Sequence, residues 1–297
     1  MASLAGHEVL GIGLASQPVR EWRGRYVQMN VATSDLSNVI KRFEPEVVVH
    51  AAGSASVSNS LASPLDDLKS SALTWANTLD GIRRSSVRPL VLFPSSAAVY
   101  GNPMVLPVRE DAPVAPISPY GFHKAACELL AREYAECFGL KILVCRLFSV
   151  FGPAQRRLLI WELFEQFAGD AEIVWLRGTG EESRDYLHID DVTTAFLALA
   201  ENSISETGTA ESSSGYCRFI NVASGTRINV LDLAESIRKL AAPEKKIRSR
   251  GIASAADPKS WEADIGLLHS LAPQWQPAEF GNRLSECIAT WKKEAGL

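Results

Sequence analysis

Paired cysteines are missing from this 297-residue sequence: the five present, Cys127, Cys137, Cys145, Cys217 and Cys287, are odd in number and scattered, and no C-x-x-C occurs. That excludes a disulfide framework and predicts buried, reduced thiols in a cytoplasmic chain. Histidine is as scarce, with five residues and no ligand spacing, so no metal site is expected. No apolar run approaches the roughly 20 residues of a membrane span. Met1 to Ser16 lacks a basic start followed by an apolar block, so no signal peptide is expected either. Excess charge is also missing: 30 Lys and Arg against 34 Asp and Glu leave a net −4, which argues against a general nucleic-acid binder. What is there is core. With 46% apolar and 22% charged residues the chain can fill one large domain or two intimately joined ones.

The most informative stretch runs from Pro94 to Lys124. The apolar run Pro89 to Phe93 reads as a buried parallel strand, which puts the small polar residues after it, Ser96 among them, at a strand's carboxyl edge. Pro119 suits a first helical turn, and Ala125 to Phe138 continues at helical spacing. Tyr120 and Lys124 are then one turn apart on one face. A free phenol has a pKa of about 10, and an ammonium one turn away favours the phenolate. Tyr120 is thus a candidate to take a proton from a sugar hydroxyl while its carbon gives up a hydride. The Ser96 hydroxyl is placed to hold the substrate oxygen and share that proton.

A lone Tyr-x-x-x-Lys is weak. The ensemble carries more: strand, Ser-Ser, Val-Tyr-Gly, a proline-rich loop, then Ser-Pro-Tyr-Gly-x-x-Lys. At these residues the chain resembles the extended short-chain dehydrogenase/reductases, specifically the NAD-dependent nucleotide-sugar epimerase/dehydratase family, UDP-glucose 4-epimerase-like. The resemblance implies Ser96, Tyr120 and Lys124 as the catalytic triad. It implies an α/β fold, a Rossmann-type doubly wound parallel sheet, incomplete at its N-terminus, with a smaller C-terminal substrate domain. The expected division is 1–150 plus 187–223 for the NAD(P)-binding part and 151–186 plus 224–297 for the substrate-binding part.

At the start, Leu4 to Gly13 resembles the end of the family's first helix, its Gly-His-Glu-Val turn and its second strand. The family carries upstream a first strand and a G-x-x-G-x-x-G turn, whose glycines let the backbone approach a pyrophosphate at a helix N-terminus. Gly11-Ile12-Gly13 is no substitute, because it lies inside the apparent second strand with no helix after it. In a sheet of order 3-2-1-4-5-6 the first strand is central. Its absence is expected to separate strands two and three from the rest, and points either to a numbered start downstream of the natural one or to a truncated relative. Gly13 stands near the position of the usual acidic ribose ligand, which leaves the choice between NAD and NADP open, with NAD the cofactor the resemblance implies.

The resemblance assigns further positions. Asn30 and Val31, ending a strand from Arg25, would flank the adenine. The backbone of Ala51, Ala52 and Gly53, after the strand Glu46 to Val49, would lie along the cofactor. Ser95, Tyr120, Lys124 and Phe148 would complete that site, Phe148 near the nicotinamide or else in the core. A helix Asp35 to Phe43 capped by Ser34 and a long helix Pro64 to Arg84 are expected, with Ser70 or Ser71 where relatives often place an asparagine. Lys141 to Val150 reads as the sixth strand. Ser149 replaces the asparagine of Arg-x-x-Asn-x-x-Gly-Pro and would touch the sugar nucleotide. Arg184 of Arg-Asp-Tyr would clamp its diphosphate, a task suited to the guanidinium fork. Tyr186 would support it, and Asp190-Asp191 would cap the following helix. Ser203 to Gly215 reads as a surface insertion, Asn229 as a helix cap, and Asn282 to Glu294 as a closing helix. Ser254 stands near the place of a second diphosphate arginine, and Asp257-Pro258 begins the ending typical of the family.

Reaction type is narrowed by an absence. Dehydratases of this family place Asp-Glu, or at least Glu, after the Ser/Thr to protonate a leaving hydroxyl, and here those positions are Ala97 and Ala98. The expected activity is C4 epimerisation of a UDP-hexose through a 4-keto intermediate. The alternatives are a nucleotide-sugar 4-ketoreductase and a non-catalytic relative that has lost dinucleotide binding. A nucleotide sugar is the expected partner. Homodimerisation through the helices Pro64 to Arg84 and Tyr120 to Phe138 is implied by the resemblance alone.

Overall fold

A computed structural model describes residues 5–18, 22, 24–207, 214–251 and 259–296, with the side chains of 206 and 207 outside that set. Leu4, Ser254, Asp257, Pro258 and residues 208–213 of the expected insertion therefore lie outside the described residues.

Eleven strands follow in order: β1 (Leu10–Gly13), β2 (Arg25–Gln28), β3 (Val47–Val49), β4 (Leu90–Ser96), β5 (Lys141–Leu147), β6 (Ser149–Phe151), β7 (Ile173–Leu176), β8 (Ser183–His188), β9 (Tyr216–Val222), β10 (Arg227–Asn229) and β11 (Lys246–Ser249). The central sheet is parallel, in the order β3-β4-β5-β9. Its middle strands carry the apolar runs Leu90–Phe93 and Ile142–Cys145 because both faces are covered there. Val91, Phe93, Ile142 and Val144 face Trp75, Leu79 and Ala131 of the helices Thr74–Ser85 and Pro119–Phe138. Leu92, Leu143, Cys145 and Ile220 face Ala195 and Leu199 of the helix Ile189–Thr207. Helices on both faces of a parallel sheet make the doubly wound arrangement expected from the sequence.

β1 and β2 pair in parallel with each other. Among the described residues neither bonds to β3, whose Val49 stays 48% exposed. The expected separation of the first two strands from the main sheet is what the structure shows. The glycines of β1 serve packing. A Cβ at Gly11 would come within 2.7 Å of the Trp22 ring, and one at Gly13 within 2.9 Å of the Tyr26 hydroxyl. Gly11-Ile12-Gly13 thus makes room for two aromatic side chains, lies within a strand, and forms no phosphate cradle.

The remaining strands form β10-β8-β6 and β11-β7. Together with the helices Leu158–Ala168, Val230–Ala241 and Phe280–Ala295 they enclose a second core around Phe164, Phe167, Leu233, Ile237 and Trp291.

Several boundaries differ from expectation. The expected sixth strand breaks at Phe148: β5 ends at Leu147, and β6 leaves to pair with β8, so Ser149 belongs to the smaller sheet. The expected helix Pro64 to Arg84 is three consecutive pieces, Pro64–Leu68, a π-helical turn Lys69–Leu73, and Thr74–Ser85. The first piece follows a helix Val57–Ala62 whose Ser56 caps Asn59. Ser34 does not cap the helix Ser37–Phe43: its cap position is Leu36, without a side-chain bond, and Asp35 accepts from the Ser37 amide at 2.9 Å. Asp190 and Asp191 sit in the first helical turn rather than before it. Asn229 occupies the cap position without a side-chain bond.

Candidate active site

The site forms where β4 ends and the helix Pro119–Phe138 begins. That helix starts sharply because the Ser118 hydroxyl accepts from the Gly121 amide at 3.2 Å and Pro119 fills the first position. It stops at Gly139, whose φ of 71° suits a glycine C-cap. Gly121 is required by space, since a Cβ would fall 2.6 Å from the Ala98 carbonyl. This close approach seats Tyr120 beside the end of β4.

Ser96, Tyr120 and Lys124 come together there. The Ser96 hydroxyl caps the 3-10 turn Ala97–Tyr100, accepting from the Ala98 amide at 3.2 Å. The Tyr120 amide donates to Ser60 Oγ at 3.0 Å. Lys124 is buried, its Nζ donating to the Pro94 carbonyl at 2.9 Å and lying 5.8 Å from the centre of the Tyr120 ring. Burial raises the phenol of Tyr120 above its ordinary value, against the Ser96 hydrogen bond, which favours the phenolate. Depression by Lys124 is therefore not what governs Tyr120 in this arrangement; burial is. Burial likewise lowers Lys124.

A buried ion pair lies beneath the triad. Arg146 binds Glu128 through both carboxylate oxygens, at 3.0 and 2.8 Å. The Ser95 hydroxyl donates to Glu128 at 2.7 Å, and Arg146 reaches the Tyr100 hydroxyl at 2.8 Å. Tyr100 donates onward to Asn221 at 2.7 Å, and burial pushes its pKa up to about 12. These bonds tie β4, β5, β9 and the helix Pro119–Phe138 into one frame. Sequence reading assigned no role to Glu128, Tyr100 or Asn221. The available signal was Glu128 itself, an acid one turn beyond Lys124 on the same helix face.

The other expected positions divide. Ala51 to Gly53 follow β3, and Gly53 has φ of 122° with a Cβ position 3.1 Å from the Ser70 carbonyl, so glycine is needed there. Ser71 Oγ, on the π turn, is buried with no hydrogen-bond partner. Asn30 is occupied with its own turn, accepting from the Ala32 amide at 2.9 Å, and the Val31 carbonyl accepts from Asn77 at 2.7 Å. Ser95 faces Glu128, and Phe148 is buried among Tyr100, Val108 and Ala263, edge-on to Trp261.

Arg184 stands 5.5 Å over the Trp261 ring and donates to the Ser183 carbonyl at 2.9 Å. Ser149 pairs in register with Tyr186. Tyr186 is buried between Phe151 and Phe280, its hydroxyl without a partner. Between Arg184 and Tyr186, Asp185 accepts from the Ser224, Gly225 and Ala263 amides at 2.8, 3.0 and 3.2 Å. It fastens β8 to the turn after β9 and to the segment around Ala263, a role sequence reading did not give it.

The profile of the NAD dependent epimerase/dehydratase family matches residues 2–210. The chain belongs to this family. As a family member it is 29% identical over 265 residues to a putative UDP-glucose 4-epimerase of Methanocaldococcus jannaschii, covering 86% of this chain and 79% of that protein. It is 30% identical over 175 residues to the UDP-glucose 4-epimerase of Mycolicibacterium smegmatis, covering 58% of this chain and 56% of that one, so the second match spans little more than half of either. In fold it matches the UDP-glucose 4-epimerase of Thermotoga maritima solved with UDP-glucose, with a TM-score of 0.84, 23% identity, and 99% and 94% of the two chains covered. Among the described residues, no helix of this epimerase/dehydratase relative is long and apolar enough to cross a membrane, and no group of metal-ligating side chains is found.

Proposed function

We propose that the chain is a nucleotide-sugar 4-epimerase acting on a UDP-hexose. The observation that carries this reading is the meeting of Ser96, Tyr120 and Lys124 at the end of β4, followed by Ala97 and Ala98, both buried and neither able to protonate a leaving hydroxyl. Proton transfer at a sugar hydroxyl fits this set, and dehydration does not. The matched relatives named as UDP-glucose 4-epimerases support the same substrate class.

The residues fit the nicotinamide side of NAD. Gly53 brings the backbone close to the π turn, where Ser71 Oγ has no protein partner, and Lys124 and Tyr120 lie within the same region. Ala51 to Gly53, Tyr120 and Lys124 would hold it, and it would supply a reversible hydride acceptor at the sugar carbon. In the proposed mechanism Ser96 holds the C4 hydroxyl, Tyr120 takes and returns its proton, and Lys124 fixes the orientation of Tyr120. Arg184 binds the diphosphate, and Ser149 borders the sugar. The outward Leu65, Leu73, Phe122 and Leu129 on the two long helical segments are exposed and fit a homodimer face, which light scattering would test.

The deciding experiment titrates NADH and NADPH into the purified chain by fluorescence, then supplies NAD and UDP-galactose and follows UDP-glucose. Sugar conversion without net cofactor consumption is expected. Consumption of reduced cofactor in step with product from a 4-keto sugar nucleotide would make it a ketoreductase. A non-catalytic role is the second reading, favoured by β1, whose glycines are filled by Trp22 and Tyr26 and cradle no pyrophosphate. Failure of both this chain and a version extended upstream to bind either cofactor would favour it.

A further inference from the structure

His123 stands on the catalytic helix between Tyr120 and Lys124, and its partner comes from outside that helix. Its Nδ1 lies 2.5 Å from Asp67 Oδ2 on the segment Pro64–Leu68. The Asp67 side chain is 1% exposed, and its second oxygen, Oδ1, is buried with no hydrogen-bond partner. A carboxylate stripped of water and given one partner is costly to bury unless the surroundings use its charge.

A buried cation stands on the same helix, one residue beyond His123. Lys124 is buried, and its Nζ donates to the Pro94 carbonyl rather than to a carboxylate. Three groups act to keep it protonated: Cys127, Asp67 and Glu128. Glu128 is already bound through both oxygens to Arg146. Burial pushes the Cys127 thiol up to about 11, so it is uncharged at neutral pH. His50, pushed down to about 3 by burial and by Lys124 itself, is neutral as well. Asp67 is the acid among these whose charge no guanidinium cancels.

We propose that Asp67 is a positioning residue for the Tyr120–Lys124 pair: its buried carboxylate, clamped by His123, anchors the first turns of the catalytic helix and sets the electrostatic surroundings of the pair. The role rests on the reading of Tyr120 and Lys124 as the proton-handling pair. The same charge has a cost at Tyr120. There, after burial, Ser96 favours the phenolate, Asp67 opposes it, Arg157 favours it and Cys127 opposes it. Asp67 therefore moves both titrations of the pair upward together, and its loss moves both downward.

The test compares D67N with H123Q in the full chain. Tyr120 is titrated by ultraviolet difference absorbance with a Tyr120→Phe version of each protein subtracted, a readout that needs neither cofactor nor substrate. D67N is expected to lower the Tyr120 midpoint by about half a unit to one unit and to shift both limbs of the pH profile of kcat toward acid, with KM little changed. H123Q keeps the carboxylate and is expected to show no downward shift, whereas D67N/H123Q is expected to shift like D67N. The double variant leaves no member of the pair unpartnered and serves if D67N alone does not fold. A Tyr120 midpoint unmoved in D67N and in the double variant, or lowered equally by H123Q, would overturn the proposal. Lack of turnover by the wild-type chain would count against the epimerase reading alone, because the phenol titration is independent of it.

Discussion

Glu128 and Arg146 face each other through two parallel contacts, Nε to Oε1 at 3.0 Å and Nη2 to Oε2 at 2.8 Å, with both side chains at or below 5% exposure. One comes from the helix Pro119–Phe138 and the other from β5, so the pair holds the helix that carries Tyr120 at a fixed height over the sheet. Removing one partner of such a pair strands a buried charge and costs about 3–5 kcal/mol. Glu128→Gln is expected to lower the urea midpoint accordingly while leaving the dependence on denaturant unchanged. A loss under about 1 kcal/mol would mean that water reaches Arg146.

Tyr120→Phe keeps the ring, its packing and the backbone bond to Ser60, and removes only the proton-handling oxygen. Turnover of the nucleotide sugar is expected to fall about a hundred- to ten-thousand-fold, with unchanged circular dichroism. Ser96→Ala is expected to fall less, since Tyr120 retains its proton. Steady-state rates at pH 8 measure both. Equal activity of Tyr120→Phe and wild type would remove Tyr120 from the chemistry.

How much of this was legible in the sequence depended on whether a feature is local. The strand, turn and helix holding Ser96, Tyr120 and Lys124 are written by neighbours a few residues apart: an apolar run, small polar residues, Ser118 and Pro119. The separation of β1 and β2 followed from sheet order. What escaped is built from distant pairs. Asp67 and His123 are 56 positions apart, Tyr100 and Asn221 are 121 apart, and no periodicity marks either. The break at Phe148 was hidden for a related reason. Cys145 to Phe151 is uniformly strand-like, and only the competing edge of β8 draws Ser149 away from the central sheet. The π turn at Lys69–Leu73 leaves no composition signal at all.

Arg184 is the residue assigned to the diphosphate, and a planar fork binds phosphate oxygens in a way an ammonium does not. Arg184→Lys is expected to weaken UDP binding by about ten- to a hundredfold, the equivalent of a lost charge-assisted hydrogen bond. Calorimetry with UDP measures this without turnover. Unchanged affinity would move the diphosphate away from β8.

His50 gives the chain a pH dependence whose sign can be worked out. Burial, and then the charge of Lys124, lower its pKa from 6.5 to about 3. The Thr78 hydroxyl donates to the Thr74 carbonyl, so His50 Nδ1 carries the proton in its 3.0 Å contact with Thr78, and Nε2 is buried without a partner. The folded ring therefore refuses a second proton that the unfolded chain accepts. Above pH 6.5 neither state is charged and the stability is complete; as pH falls from 6.5 toward 3 the unfolded state gains protons and stability is lost, on the order of 5 kcal/mol in total. Asp185 works the other way. Its carboxyl is raised to about 6, chiefly by burial, so the folded state holds that proton more tightly and its contribution grows as pH falls through 6 toward 3.8. The two slopes oppose each other, and wild type alone would show only their difference. His50→Gln removes one of them. Urea unfolding of both proteins between pH 8 and pH 4 is expected to show wild type losing stability more steeply than the variant below pH 6.5. Parallel curves would mean that the imidazole is solvated and that the packing of Trp75 and Phe93 around it is looser than the 4.9 Å and 6.1 Å ring separations imply.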